Sequence, residues 1–219
     1  TRSDAQWNCP GCGRKRPETS WELRWQDGSG TAVSRLGQEF DLSGLQLPGR
    51  FNASNATLAL AVAEQLGLGL DESVKRMCQV QAVSGRYAIV NVGAIRIRLL
   101  LAKNPAGWTE LIDVMPPAPT PVIVSINSNA ADGRDPSWLW DVPFEKLRGR
   151  TVIATGDRRR DLAVRLLHAE VDHVVIADPY SPAAPLPPEA RALDVIDNAA
   201  TYTAFHELRT RAQREATSE

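Results

Sequence analysis

Cysteine is scarce in this chain: Cys9, Cys12 and Cys78 are the only three in 219 residues. A low, odd number excludes a disulfide-stapled secreted scaffold and points to a reducing, cytoplasmic setting. Charge of one sign is also missing. Lys and Arg number 25 against 26 Asp and Glu, a net charge of −1, so nothing in bulk draws the chain to nucleic acid or an anionic membrane. No apolar run approaches the roughly 20 residues of a membrane-crossing helix, and the first residues carry no signal-peptide pattern. There is no glycine-rich loop ending in Lys-Ser or Lys-Thr, and so no phosphate cradle of that kind. His168, His173 and His206 are scattered, with no Cys or Ser in a nucleophile setting beside them; they read as surface or helix-end residues. No internal repeat is found.

Hydrophobic residues make up 43%, enough for a packed core, and the length suits one large or two small domains. Residues 7–28, rich in Trp, Gly, Pro and charge, read as a small ribbon, and 31–48 as a short hairpin. Leu58, Leu60, Ala61, Val62 and Leu66 recur at helical spacing up to a stop at Gly67. Asp71 is placed to cap a second helix, Glu72 to Gln79. A boundary is expected at Ser84-Gly85, dividing the chain into 1–84 and 85–219. Beyond it strands are expected at Tyr87–Val90, Arg96–Leu101, Val122–Ile126, Thr151–Thr155, His173–Ala177 and Leu193–Ile196. Helices are expected at Trp108–Val114, after Asp135-Pro136, at Leu162–Ala169 behind an Asp157 cap, and at Thr201–Gln213. Five prolines between Pro179 and Pro188 demand a loop. The alternation predicts an α/β fold, a mostly parallel sheet with helices on both faces, whose working residues collect in loops at the strands' carboxyl ends: 103–107, 127–135 and 155–158.

Four motifs carry chemistry. Cys9-Pro10-Gly11-Cys12-Gly13 is a metal knuckle that brings two thiolates to one Zn²⁺; it is a half-site, since structural zinc takes four ligands, and the alternative is a reduced, empty pair. Asn52 and Asn55 share one helix face, where amides can read an adenine edge or simply cap the helix. Arg86, at the boundary, can grip a phosphate or carboxylate, or stand in solvent. Asp132 to Asp141 packs several carboxylates, an Arg and two Trp into ten residues. It reads either as an interface or as a capped helix with Trp in the core.

Taken together and in this order, the knuckle, Gly49-Arg50-Phe51-Asn52-Ala53-Ser54-Asn55, Ala102-Lys103-Asn104-Pro105-Ala106-Gly107, Asp132–Asp141 and Asn198-Ala199-Ala200-Thr201-Tyr202-Thr203-Ala204 resemble the MurT family, which is itself similar to the Mur ligases. The resemblance implies that 1–84 is the tail of a central ATPase domain with a partial zinc ribbon. Residues 85–219 would then be a Rossmann-like, Mur ligase-type C-terminal domain that docks a GatD-type glutamine amidotransferase. It implies an ATP- and Mg²⁺-dependent ligase that converts the D-glutamate of lipid II to D-isoglutamine at the inner membrane face. Residue by residue it assigns Asn52, with Asn55 beside it, to the adenine, Arg86 to the nucleotide, and Lys103 and Asn104 to the active cleft. Asp135 would complete a triad with the partner's Cys and His, and Cys9 and Cys12 would hold structural Zn²⁺. Departures are that one knuckle stands where the family has two, that most of the central domain lies outside this sequence, and that Pro143 takes the place of an Asp. Two rival readings are an amino-acid-adding Mur ligase and a zinc-ribbon module fused to a nucleotide-binding domain.

Overall fold

The structure is a computed structural model that describes residues 7–80, 87–93 and 95–217. These residues form two compact units, the first within 7–46 and 50–79, the second formed by 47–49 and the described part of 80–219. The expected Ser84-Gly85 boundary and Arg86 lie outside the described residues.

The first unit is a three-stranded antiparallel meander backed by two helices: β1 (Trp21–Gln26), β2 (Ser29–Ser34), β3 (Glu39–Asp41), α1 (Arg50–Gln65) and α2 (Leu70–Cys78). The hairpin expected at 31–48 is in fact its second half. Its first strand lies in the stretch expected as a ribbon, where Trp21, Leu23 and Trp25 alternate with exposed Glu22, Arg24 and Gln26 as a half-buried strand does. Ala53, Ala56, Leu60 and Ala63 form the buried stripe of α1, whereas Leu58, Val62 and Leu66, part of the apolar pattern, are exposed. Small residues face the sheet because α1 approaches it closely: a Cβ on Gly30 would lie 3.1 Å from the Ala53 Cβ. Gly67, at φ +69°, follows the end of α1 as expected. The cap of α2 is Gly69, not Asp71, which lies inside the first turn and favours the helix through its charge.

The second unit is a six-stranded sheet in the order β4-β5-β9-β6-β7-β8. Its elements are β4 (Tyr87–Val92), β5 (Ile95–Leu101), α3 (Pro105–Asp113), β6 (Val122–Ser125), β7 (Val152–Thr155), α4 (Arg159–His168), β8 (His173–Val175), α5 (Pro188–Arg191), β9 (Ile196–Ala200) and α6 (Tyr202–Ala216). Only β4 runs antiparallel to its neighbour, so the mostly parallel α/β expectation is met. Alternate strand residues point to opposite faces. Val122, Val124, Val152 and Ala154 meet Trp108, Leu162 and Leu166 on one face, and Ile97, Leu99, Ile123 and Ile153 meet Phe205 and Leu208 on the other. Helices therefore cover both faces.

Three expectations for the second unit are corrected. The strand expected at Leu193–Ile196 is β9, Ile196–Ala200. The segment after Asp135 is a 3-10 helix, Pro136–Asp141, followed by another, Phe144–Leu147, rather than an α-helix. Val142 and Pro143 separate them, and proline cannot continue the ladder. The helix after β7 starts at Arg159 without a side-chain cap; Asp157 instead donates its backbone N–H to Asn127 Oδ1 at 2.9 Å.

The chain passes from β5 to β6, β7 and β8, then returns through α5 to insert β9 between β5 and β6. At such a reversal the loops on either side of the central strand diverge and leave a crevice at the carboxyl edge.

Candidate functional site at the carboxyl edge of the sheet

Five segments converge on that edge: those after β5, β6, β7, β8 and β9. The loop after β6 runs from Asn127 to Asp135 and is held at several points. At its root the Asn127 N–H donates to Thr201 Oγ1 at 2.9 Å, and its side chain accepts from Asp157 N and donates to Glu207 Oε2 at 3.1 Å. In its middle, Asp132 accepts from the Thr203 N–H at 2.8 Å, from Thr203 Oγ1 at 2.5 Å and from the Asn129 N–H at 3.0 Å. Ser128 Oγ closes the loop on itself through the carbonyls of Gly133 and Arg134.

Asp135 ends this loop with its side chain exposed. Its two oxygens accept from Ser137 N and Ser137 Oγ, each at 2.9 Å. These hydrogen bonds, the backbone one foremost, hold its carboxyl below the usual carboxylate range, so the group is an anion at neutral pH. The 3-10 helix that it caps splits the two tryptophans: Trp138 stacks on buried Trp108 with ring centroids 6.1 Å apart, while Trp140 is 55% exposed. The core reading of this stretch holds for Trp138, while Trp140 is left exposed beside His168 and Arg165.

Lys103 and Asn104 follow β5. Asn104 Oδ1 accepts from the Gly107 N–H at 2.8 Å and caps α3, so its side chain has a structural task. The Lys103 ammonium lies 4.1 Å from the centre of the Tyr202 ring, a cation–π contact that holds an exposed cation at the first residue of α6. Lys103, Tyr202, Thr203 and Asp132 are therefore linked through the start of α6. Asn52, half-buried, and Asn55, exposed, lie in the first unit on α1.

Sequence reasoning missed a cavity of about 260 Å³ beside this loop, lined in part by Asn127, Asp157, Asp178, Tyr180, Glu207 and Arg211. Its floor is a closed ring of hydrogen bonds. Ser125 Oγ donates to Asn198 Oδ1 at 2.8 Å, Asn198 Nδ2 donates to the Tyr180 hydroxyl at 2.8 Å, and Tyr180 and Ser125 share the third bond at 3.1 Å. Since the Ser125 proton is already used, Tyr180 is the donor there. Burial pushes the Tyr180 phenol up. Arg211 spans the Asp178 carboxylate at 2.9 and 3.0 Å and satisfies that charge.

In the first unit, Cys9 and Cys12 sit on a turn closed by Cys9 N to Arg14 O at 2.8 Å and Gly13 N to Cys9 O at 2.9 Å. Hydrogen bonds from Cys12 and Gly11 lower the Cys9 thiol, which suits a metal ligand. Two thiols do not make a closed zinc site, and among the described residues no group of three or more His, Cys, Asp or Glu could hold a metal ion. Cys78 is half-buried against Gly44, away from any such group. Among the described residues no helix is long and apolar enough to cross a membrane.

The sequence profile of the family described as MurT ligase C-terminal matches residues 101–205. The lipid II isoglutaminyl synthase (glutamine-hydrolyzing) subunit MurT of Streptococcus pneumoniae is 36% identical over 166 residues, 72% of this chain and 36% of that protein. The subunit of the same name from Staphylococcus aureus is 33% identical over 174 residues, 76% of this chain and 39% of that protein. The chain thus spans little more than a third of the length of these curated relatives. Among solved structures, the UDP-N-acetylmuramate-alanine ligase MurC of Thermotoga maritima superposes with a TM-score of 0.56 at 13% identity, covering 91% of this chain and 46% of that one. Folylpolyglutamate synthase from the same organism gives 0.56 at 18%, covering 89% and 47%. At such identities these two show a shared Mur ligase-like fold. The profile match over residues 101–205 and the two curated relatives make this chain similar to the carboxy-terminal part of MurT subunits, and the superpositions agree on the fold.

Proposed function

We propose that this chain is the carboxy-terminal portion of a MurT subunit. The whole enzyme would use ATP and glutamine to convert the D-glutamate of the lipid II stem peptide to D-isoglutamine, working with a GatD-type amidotransferase near the inner membrane face. The observation that carries this reading is Asp135. It is an exposed carboxylate, held ionised by Ser137 at the carboxyl edge of the sheet. No thiol stands near it in sequence. A carboxylate so placed suits one task in nucleophilic catalysis: to orient a neighbouring imidazole and stabilise its protonated form. In this reading the imidazole and the nucleophile both belong to the partner.

The nucleotide part of the reading rests on fewer groups. Asn52 and Asn55 present two amides on one helix face, chemistry that suits a base edge. Lys103 presents an ammonium at the rim with Asn104 next to it, and the family resemblance adds Arg86. The resemblance assigns these residues to the nucleotide and the active cleft; a Gly-rich cradle for the phosphates is not in this sequence. ATP with Mg²⁺ would supply the phosphoryl group that turns a carboxylate into an electrophile. Cys9 and Cys12 would give a structural zinc two ligands, half of the set it takes. Residues 1–84 are then the end of the central domain, and 85–219 the partner-docking domain.

The test is co-purification with a candidate amidotransferase followed by a glutaminase assay. Asp135→Asn, which keeps the shape and removes the charge, should leave folding intact and drop glutamine hydrolysis by a factor on the order of 10³ or more. An unchanged rate would remove Asp135 from the machinery.

A further inference from the structure

The loop that carries Asp135 has no regular structure until Pro136, yet a bidentate clamp holds it in place. We propose that Asp132 is a positioning residue for Asp135: by binding the first turn of α6 it fixes the loop and so sets where the Asp135 carboxylate meets the partner's imidazole. The inference rests on the role proposed above for Asp135.

Three observations carry it. The first is the bonding itself. One Asp132 oxygen accepts from the Thr203 N–H at 2.8 Å, and the other accepts from Thr203 Oγ1 and from the Asn129 N–H. Asn129 Nδ2 then donates back to Thr203 Oγ1 at 3.1 Å, so three residues close a ring around one carboxylate. The second is what α6 lacks. Its cap residue, Thr201, makes no side-chain cap hydrogen bond, and its first turn has no acidic residue. The open N–H groups and the positive end of this 15-residue helix are met instead by a carboxylate 71 positions away in sequence. A helix otherwise complete has borrowed its anion from the loop, and the loop is thereby pinned to a rigid element.

The third is the short path from clamp to tip. Asp132 and Asp135 are separated only by Gly133, at φ +92°, and Arg134, and the carbonyls of both intervening residues accept from Ser128 Oγ. The turn between clamp and tip is thus fixed from below. Asn127 also anchors the loop, but at its buried root, where truncation would disturb β7 and α6 together. Asp132 is the loop residue nearest the tip whose bonds reach a different element, the first turn of α6.

Orientation is a steep lever: displacing a catalytic group by about 1 Å costs up to about a hundredfold in rate. The experiment is a glutaminase assay on the complex of the chain with its amidotransferase, with kcat and KM for glutamine measured separately. Complex formation is followed by size exclusion and folding by thermal unfolding. Asp132→Ala should lower kcat on the order of 10- to 100-fold with KM for glutamine unchanged, because glutamine binds in the partner. Thr203→Val removes the hydroxyl donor and should lower kcat in the same direction but less, whereas Thr203→Ser keeps it and should restore the rate.

If Asp132→Ala does not fold, the Thr203 pair decides alone. Equal kcat for Thr203→Val and Thr203→Ser in an intact complex overturns the proposal. So does a wild-type kcat for a folded Asp132→Ala chain, and so does a loss that appears only as weaker complex formation. Asp135→Asn in the same assay separates the two levels. If it is inactive while Asp132→Ala is fully active, the positioning role fails and the reading of Asp135 stands. If Asp135→Asn is fully active, the reading beneath has failed.

Discussion

Tyr180 shows how one buried hydroxyl connects the sheet to the cavity. It completes the ring with Ser125 and Asn198, in which each proton has a defined acceptor. Tyr180→Phe leaves Asn198 Nδ2 without its acceptor and Ser125 Oγ without its donor, at a cost of about 1–3 kcal/mol. The same ring predicts an alkaline limit. Burial raises the folded-state phenol above its ordinary value of 10.0, so between that value and the folded one the unfolded chain loses the proton first. The contribution is fully present below the ordinary value and is lost as pH rises above it. In urea unfolding the wild type should lose up to about 1.4 kcal/mol per pH unit more than Tyr180→Phe in that alkaline range, while below it the wild type is the more stable. Parallel profiles would mean the phenol is not shielded. None of this was legible in the sequence: Tyr180 sits in a proline-rich loop, and nothing in Asp178-Pro179-Tyr180-Ser181 says that the ring turns inward.

At the scale of elements, β9 is the instructive case. Periodicity predicts a strand over Leu193–Ile196, but the strand is Ile196–Ala200, with the polar pair Asp197-Asn198 at its centre. Asp and Asn are depleted in strands, so propensity spoke against the segment. The tertiary structure supplies what propensity cannot. Asn198 joins the Tyr180 ring, and Asp197 accepts from Arg98, its register partner on β5, through Nε at 2.7 Å and Nη2 at 2.5 Å. Apolar strands such as Val122–Ser125 and Val152–Thr155 were legible because burial on both faces leaves a continuous hydrophobic run. The Asp197 carboxylate also attracts Arg150, which is buried and whose Nε and Nη1 find no hydrogen-bond partner among the described residues. Removing different members of this trio should have opposite signs. Asp197→Ala strips two guanidinium groups of their counter-charge and should destabilise by about 3–5 kcal/mol in denaturant unfolding. Arg150→Met replaces a desolvated and incompletely bonded cation with an apolar chain of similar length, and should be neutral or stabilising. A large loss on Arg150→Met would show that the guanidinium has partners in solution which the fold itself does not provide.

For the whole molecule, the division into two units separates the proposed tasks. Asp135, Asp132, Thr203 and Lys103 all belong to the second unit, whereas Asn52, Asn55, Cys9 and Cys12 belong to the first. The sequence signalled this split through a change of pattern, from Trp- and Gly-rich ribbon and helices to alternating strand and helix; the family resemblance, not periodicity, attached functions to the parts. The second unit has core on both faces of its sheet, built from its own residues. A fragment of residues 85–219 should therefore unfold cooperatively and still stimulate glutamine hydrolysis by the amidotransferase, because the carboxylate and its clamp travel with it. Cys9→Ser with Cys12→Ser should leave that stimulation unchanged while lowering whatever Zn²⁺ the longer chain retains, measured by a colorimetric chelator. The fragment separates two physical accounts of the glutaminase. If the carboxylate acts locally at the rim, glutamine hydrolysis survives the loss of the first unit and still falls with Asp135→Asn. If hydrolysis instead disappears with the first unit although the fragment binds the partner, the partner's imidazole is ordered by something other than this edge of the sheet.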